Sequence, residues 1–367
     1  MPDNIAIYST ITDLLPGEEF ARLAAGAKWR ERRDDGLLWH DLAWPKLRIT
    51  LRHFHHGEPD FAEHVQGFLG FVLSLAEGNM DGRLGEIYYL VSKARQGFGL
   101  EIDPEIDELV AGQFITELAA ASCGIVFYGD SLTDPWGRLL LGPGNERGEG
   151  VMYVFNLAKE RRERSGERLA TLGLATPDWL PVTLADEEAL LREPQEVARR
   201  AIALMAVALR AEGIEQPRVV RFLQQRGLVK ALSPEEQKFL KQARPDEAEM
   251  RKLTWRYEAL WTLLWALGHL ERIGPPGTQC NAKFAVKLLN EMPIEKFLGE
   301  ARLRPAVEIL DEVDFYYRAH WHAVNAQQAG RPPHQGLDPD VIYERHYALN
   351  WLTTYMYQAW DDVRTDT

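Results

Sequence analysis

Lys46-Leu47-Arg48-Ile49-Thr50-Leu51-Arg52-His53-Phe54 alternates without a break, with Leu47, Ile49 and Leu51 on one side and Arg48, Thr50 and Arg52 on the other. A period of two is the signature of a strand with one buried face. Residues 37–43 precede it as a second strand, joined through Trp44-Pro45, and Ile5–Ser9 is a third short run of strand formers. Between these, Pro16 opens a helix expected to end at Gly26, and residues 61–77 form an amphipathic helix stopped near Gly78. With a strand expected over residues 86–91, the order becomes β-α-β-β-α-β, that of the ferredoxin-like split βαβ unit. A helix over 107–122 and strands over 125–128 and 138–141 extend the sheet, and 151–157 is expected as its last strand.

Residues 1–157 are therefore expected to form an α/β sandwich domain and 158–190 a linker region; periodicity weakens from Gly142 to about Leu191, through Gly142-Pro143-Gly144-Asn145 and the charged run over 159–164. Residues 191–367 read as an all-α domain, so the fold class is α+β. Pro194, Pro234, Pro293, Pro305 and Pro339 each fall where a first-turn proline belongs. Ser233-Pro234-Glu235-Glu236 has the spacing of a capping box. The longest helices are expected over 246–273, 306–329 and 341–360.

These helices carry charges on apolar seams. Glu258 lies on a stripe with Trp261 and Trp265, Asp314 in line with Leu310, Tyr317 and Trp321, and Arg345 in line with Ile342 and Leu349. A charge on a core-facing seam must be paired or solvated. One reading pairs Arg345 with Glu258 or Asp314 to fix helix register. The other makes the region a binding cleft for a small molecule or peptide, walled by aromatics with the charges as anchors. Its candidate binding residues are Trp255, Glu258, Trp261, Asp314, Tyr317, Trp321, Glu344, Arg345, Asn350 and Trp351.

Composition narrows the chemistry. Of the 367 residues, 46% are hydrophobic and 26% charged, ordinary values for a soluble globular chain. Net charge is −13, of which residues 1–150 supply −11 from 13 basic and 24 acidic side chains. An acidic module disfavours a nucleic-acid partner, because phosphate backbones need a basic footprint. No apolar run approaches the roughly 20 residues that span a bilayer, and no secretory signal is evident, so no membrane association is expected. Cys123 and Cys280 are the only cysteines, which suits a reducing cytoplasm and excludes a multi-cysteine zinc site. Glycine-rich phosphate loops and zinc-protease motifs are absent, and no cofactor is expected. His53 and His55 share a strand face and are the candidate metal ligands, although the expectation for them is an exposed strand end. His320 and His322, two apart on a helix, do not face each other.

Two resemblances stand beside this reading. Gly129-Asp130-Ser131-Leu132-Thr133-Asp134 resembles the nucleophile block of GDSL-type hydrolases, which would make Ser131 the catalytic residue. That family supplies its base from a later Asp-x-x-His, and none follows Ser131 here. Over Arg192-Glu193-Pro194-Gln195-Glu196, Leu303-Arg304-Pro305, Tyr317-Arg318-Ala319-His320-Trp321 and Tyr343-Glu344-Arg345-His346-Tyr347, the chain resembles a bacterial family known as domain of unknown function 4272. The resemblance covers about half the chain and implies a helical domain with no catalytic residues to carry over. The leading expectation is a cytoplasmic, non-enzymatic binding or protein-interaction protein, with a protein or a small molecule as partner. The competing one is a hydrolase using Ser131 or a cleft around Glu258, Asp314 and Arg345.

Overall fold

The computed structural model describes residues 5–12, 17–34, 37–75, 82–103 and 108–367. The helix start expected at Pro16 and the stop at Gly78 lie outside the described residues, as does Asp107. Two compact units emerge, one comprising Met1–Ala158 with Asp178–Ala189, the other Lys159–Pro177 with Leu190–Thr367.

The first unit contains β1 (Ile5–Ser9), α1 (Gly17–Leu23), β2 (Lys28–Asp34), β3 (Leu37–Trp44), β4 (Leu47–His55), α2 (Phe61–Leu75), α3 (Gly82–Ser92), β5 (Gln96–Ile102), α4 (Glu108–Ala121), β6 (Ile125–Tyr128), β7 (Ser131–Thr133) and β8 (Leu139–Leu141). All eight strands join one sheet in the order β2-β3-β4-β5-β1-β6-β7-β8, every neighbouring pair antiparallel. Within it, β5 separates β1 from β4, and β1 separates β5 from β6. β5-α4-β6 is thus a split βαβ connection, and β1 and β4 form the matching parallel pair around β5, with α1 and the β2-β3 hairpin between them in the chain. The elements filling this pattern differ from those the sequence suggested. Residues 86–91 belong to α3, not to a strand, and the inner strand is β5. Residues 151–155 are irregular and pass directly into a helix.

Strand alternation explains the layers. Ile5 and Ile7 of β1, Ile49 and Leu51 of β4, and Phe98 and Leu100 of β5 share a core with Phe20 of α1 and Phe114 and Leu118 of α4. Tyr8 points to the opposite face, where its ring stacks 4.0 Å from Phe68 of α2. Helices therefore cover both faces of the sheet.

The second unit contains α5 (Asn156–Ala170, from residue 159 on), α6 (Pro194–Ala211), α7 (Gln216–Gln225), α8 (Pro234–Lys241), α9 (Glu247–Thr254), α10 (Arg256–Ala266), α11 (Ala282–Glu291), α12 (Ile294–Gly299), α13 (Ala306–Gln328) and α14 (Pro339–Leu352). Its core centres on α10, which packs against α6, α11 and α14. The capping box forms: the Ser233 hydroxyl accepts from Glu236 N–H at 3.3 Å and the Glu236 carboxylate accepts from Ser233 N–H at 2.9 Å. Pro194, Pro234 and Pro339 open helices, whereas Pro293 and Pro305 stand one residue earlier, at the cap. The helix expected over 246–273 breaks at Trp255 and stops at Ala266. Arg304 donates to the carbonyls of Trp265, Leu270 and Glu271, and Gly268 turns the chain at φ +79°, so the final carbonyls are satisfied without another helical turn. The last helix likewise ends at Leu352, eight residues before Trp360, as Thr354, Met356 and Tyr357 adopt left-handed backbone conformations.

Candidate functional site

The charges on the helical seams are buried, and each has a partner. Arg345 on α14 donates from Nε to Glu258 Oε2 at 2.9 Å, to the Tyr316 hydroxyl at 2.8 Å, and to the carbonyls of Gly274, Pro275 and Thr278 at 3.3, 3.1 and 2.9 Å. The other oxygen of Glu258 accepts from Cys280 N–H at 2.6 Å. The pair ties the irregular 274–280 loop to α10 and α14. Asp314 does not reach Arg345. It forms a two-pronged pair with Arg318, one turn along α13, at 2.8 Å for each prong. Glu344 accepts both contacts from Arg256 at 3.1 and 2.9 Å, and that guanidinium lies over Tyr347 and Trp360. Arg200 and Glu236 make a further buried pair. These acids and guanidiniums neutralise one another and leave no surplus charge for a ligand.

The aromatic candidates disperse. Trp261 donates to the Ile273 carbonyl at 2.9 Å, Trp351 packs edge-on to Trp360 beneath Arg192, and Trp255 and Trp321 are half-buried at separate points. Of these candidates, Tyr317 meets a residue the sequence did not single out, His346, with its ring edge-on at 6.1 Å, while Asn350 donates to the Arg364 carbonyl at 2.8 Å.

His346 on α14 is fully buried, and its Nδ1 lies 3.0 Å from Nδ1 of His320 on α13. The rings meet edge to face at 5.2 Å. Burial drives the His320 pKa down to about 4. It also drives His346 well below the ordinary histidine value, with the neighbouring His320 charge adding to the effect. Both imidazoles are therefore neutral near pH 7. His320 also lines a cleft of about 480 Å³ where the end of α13 meets the start of α14. Gln327, Arg331, Asp340 and Tyr343 supply its polar rim, and Val324 and Pro339 part of its apolar wall. The Tyr343 ring stands edge-on to His320 at 5.8 Å. The sequence carries part of this signal, because Tyr343, His346 and Asn350 recur at helical spacing on α14. The contact with His320 depends on how two helices pack.

In the first unit, Ser131 begins β7 and its hydroxyl donates to the adjacent Asp130 carboxylate at 3.1 Å. The motif around it builds a hairpin. Gly129 turns the chain at φ +61°, and buried Asp134 accepts from the N–H groups of Trp136, Arg138 and Val151 at 3.0, 3.0 and 3.1 Å. His53 is buried, contrary to the exposed strand end expected of it, because its strand is central and Phe98 stacks on its ring at 4.6 Å. Its Nε2 meets Gln96 Oε1 at 2.9 Å, while His55 Nδ1 accepts from Gly57 N–H at 3.0 Å. Among the described residues, no group of three histidine, cysteine or acidic side chains is placed to hold a metal ion.

No helix among the described residues is long and apolar enough to cross a membrane. No curated protein and no solved structure matches the chain. Residues 161–363 match the model of a family described as domain of unknown function (DUF4272), and with more than half of its length inside that match the protein belongs to the DUF4272 family.

Proposed function

We propose that this chain is a non-enzymatic binding protein of the bacterial cytoplasm, and that its helical unit holds a small polar molecule in the cleft above His320. The observation that carries the reading is the His320–His346 contact, a buried pair of neutral imidazoles that opens onto a cleft through one of its members. The buried ion pairs of the same unit stabilise through opposite charge. Two imidazoles in contact gain no such attraction, and burying them costs solvation. A polar pair kept at the floor of a cleft is better explained by a ligand than by packing. Two unpaired thiols, Cys123 and Cys280, agree with a reducing compartment.

Native mass spectrometry of the freshly purified full chain tests this reading. The expected result is a mass above that of the denatured chain by one small molecule, with the excess lost in Tyr343→Ala. A clean native mass, together with no chemical-shift change at α13 and α14 on addition of a metabolite extract, would sink it.

A protein partner is the second reading. It draws support from large aromatic side chains exposed in the acidic first unit, including Trp136 at 62% and Trp179 at 53%. The hydrolase alternative draws less. Glu258, Asp314 and Arg345 are committed to structural partners, and the Ser131 hydroxyl donates to the carboxylate of its sequence neighbour Asp130 and not to an imidazole. Labelling by a serine-reactive probe that disappears in Ser131→Ala would revive it.

A further inference from the structure

The sequence predicts a last helix that continues through Thr353-Thr354-Tyr355-Met356-Tyr357 to residue 360, and nothing in that run is a helix breaker. In the structure α14 stops at Leu352, and Thr354, Met356 and Tyr357 take φ values of +53°, +52° and +57°. Left-handed backbone suits glycine and, after it, asparagine; for other residues it carries a steric cost. Three such residues within four positions, none of them of the favoured types, make this stretch a strained hinge.

What holds the hinge in this form is the segment it delivers. The Trp360 ring lies edge-on to Tyr347 and Trp351 at 5.1 and 5.4 Å, and the guanidiniums of Arg200 and Arg256 lie over it at 4.0 and 5.5 Å. Asp361 accepts from Glu235 N–H at 2.9 Å, at the start of α8. The Gln358 carbonyl accepts from Arg192 and the Arg364 carbonyl from Asn350, both at 2.8 Å. The residues that form this seat stand on α6, α8, α10 and α14 or just before α6, all within the helical unit. None of them lies in the hinge, so the seat is the same whichever copy of the chain supplies the segment.

Within one chain, filling the seat requires the left-handed hinge. Between two chains it does not. We propose that two copies of this chain exchange residues 358–364, each hinge straightening into further helix and each segment entering the seat of the other copy. Every contact of the seat is kept, the strain is released in both hinges, and the arrangement closes on itself as a two-fold dimer. The inference makes no use of the cleft above His320 and stands or falls apart from the ligand reading.

Tyr357 is the position to vary, because it is only partly buried. Tyr357→Gly and Tyr357→Val lose the same ring, but glycine accepts a left-handed φ and a β-branched valine resists it. Native mass spectrometry and size-exclusion chromatography of the full chain, from micromolar to millimolar concentration, should show a dimer that grows with concentration. It should survive dilution long enough to be isolated, since dissociation requires each segment to leave its seat. The dimerisation constant should be about tenfold or more larger in Tyr357→Val than in Tyr357→Gly, because the hinge counts twice in the dimer. In the isolated dimer, amide exchange over 353–357 should slow as the hinge becomes helical, with protection over 358–364 unchanged. A chain that stays monomeric in the wild type and in Tyr357→Val alike overturns the exchange. So does a dimer equally populated in the two variants, or one whose hinge amides exchange as they do in the monomer.

Discussion

Arg345 holds five acceptors, so its removal affects more than one partner. Arg345→Met strands the Glu258 carboxylate in the core and releases three carbonyls of the 274–280 loop, and losing one member of a buried pair typically costs about 3–5 kcal/mol. Urea unfolding should show that loss, and Glu258→Gln alone should cost less because Arg345 keeps its carbonyls and the Tyr316 hydroxyl. The histidine pair gives a pH signature. His320 titrates at about 4 in the folded chain and near 6.5 when unfolded, and His346 is also depressed. Between those values the unfolded chain binds more protons, so this contribution is complete above about pH 6.5 and is lost as pH falls toward 4. Hydrogen exchange of peptides from α13 and α14 should be faster relative to an unstructured reference at pH 5 than at pH 7, and His320→Gln should shrink the difference. Part of this chemistry is legible in the sequence. Glu258 and Arg345 betray themselves as single charges on apolar seams, and the Asp314–Arg318 pair is present at i, i+4. The His320–His346 contact is not legible, because neither ring has a sequence neighbour that requires it.

Elements were readable where periodicity and chemistry agreed, as in β4. β5 also alternates, with Phe98, Leu100 and Ile102 on one face, yet the reading of the sequence passes over it and places its strand at 86–91. The run over 86–91 is rich in residues that favour strands, yet the buried apolar positions of α3, which contains it, are Leu84, Ile87, Leu90 and Val91, the spacing of a helix. Strand propensity misleads there because tertiary packing sets the outcome. β2, Lys-Trp-Arg-Glu-Arg-Arg-Asp, carries almost no apolar pattern, since an edge strand can be charged on both faces and is protected from mispairing by that charge. Gly97 in β5 shows what the inner strands demand. A methyl group added there would overlap the Phe54 ring and lie 3.0 Å from the Ile7 carbonyl oxygen. Gly97→Ala should therefore destabilise the first unit by about 1–3 kcal/mol, the usual cost of overpacking. The expected readout is a lower thermal midpoint with α13 and α14 exchange unchanged.

At the scale of the whole molecule, the chain does not run through one unit and then the other. Residues 159–177 belong with the helical unit, 178–189 return to the sheet unit, and the remainder is helical. Electrostatics holds each crossing in place. Glu188 is buried against Lys93 at 3.0 Å, and its carbonyl accepts from Arg95, which fastens the returning segment to the first unit. Within the helical unit, Arg161 and Arg164 of α5 both reach Asp311, and Arg168 pairs with Glu312 while lying over Phe315. Leu169 is part of the helical core, and the family match begins at residue 161, inside α5. In sequence, α5 reads as a charged connector because its stabilising partners lie some 150 residues away. A fragment starting at 191 omits this helix, leaves Asp311 and Glu312 without their guanidiniums and opens the core at Leu169. A fragment covering 159–367 keeps all of it and carries residues 178–189 as a loop, whose closure entropy grows only slowly with length. We expect the 159–367 fragment to melt cooperatively and the 191–367 fragment to melt at least several degrees lower or to aggregate. Equal melting of the two would show that α5 contributes nothing to the helical core.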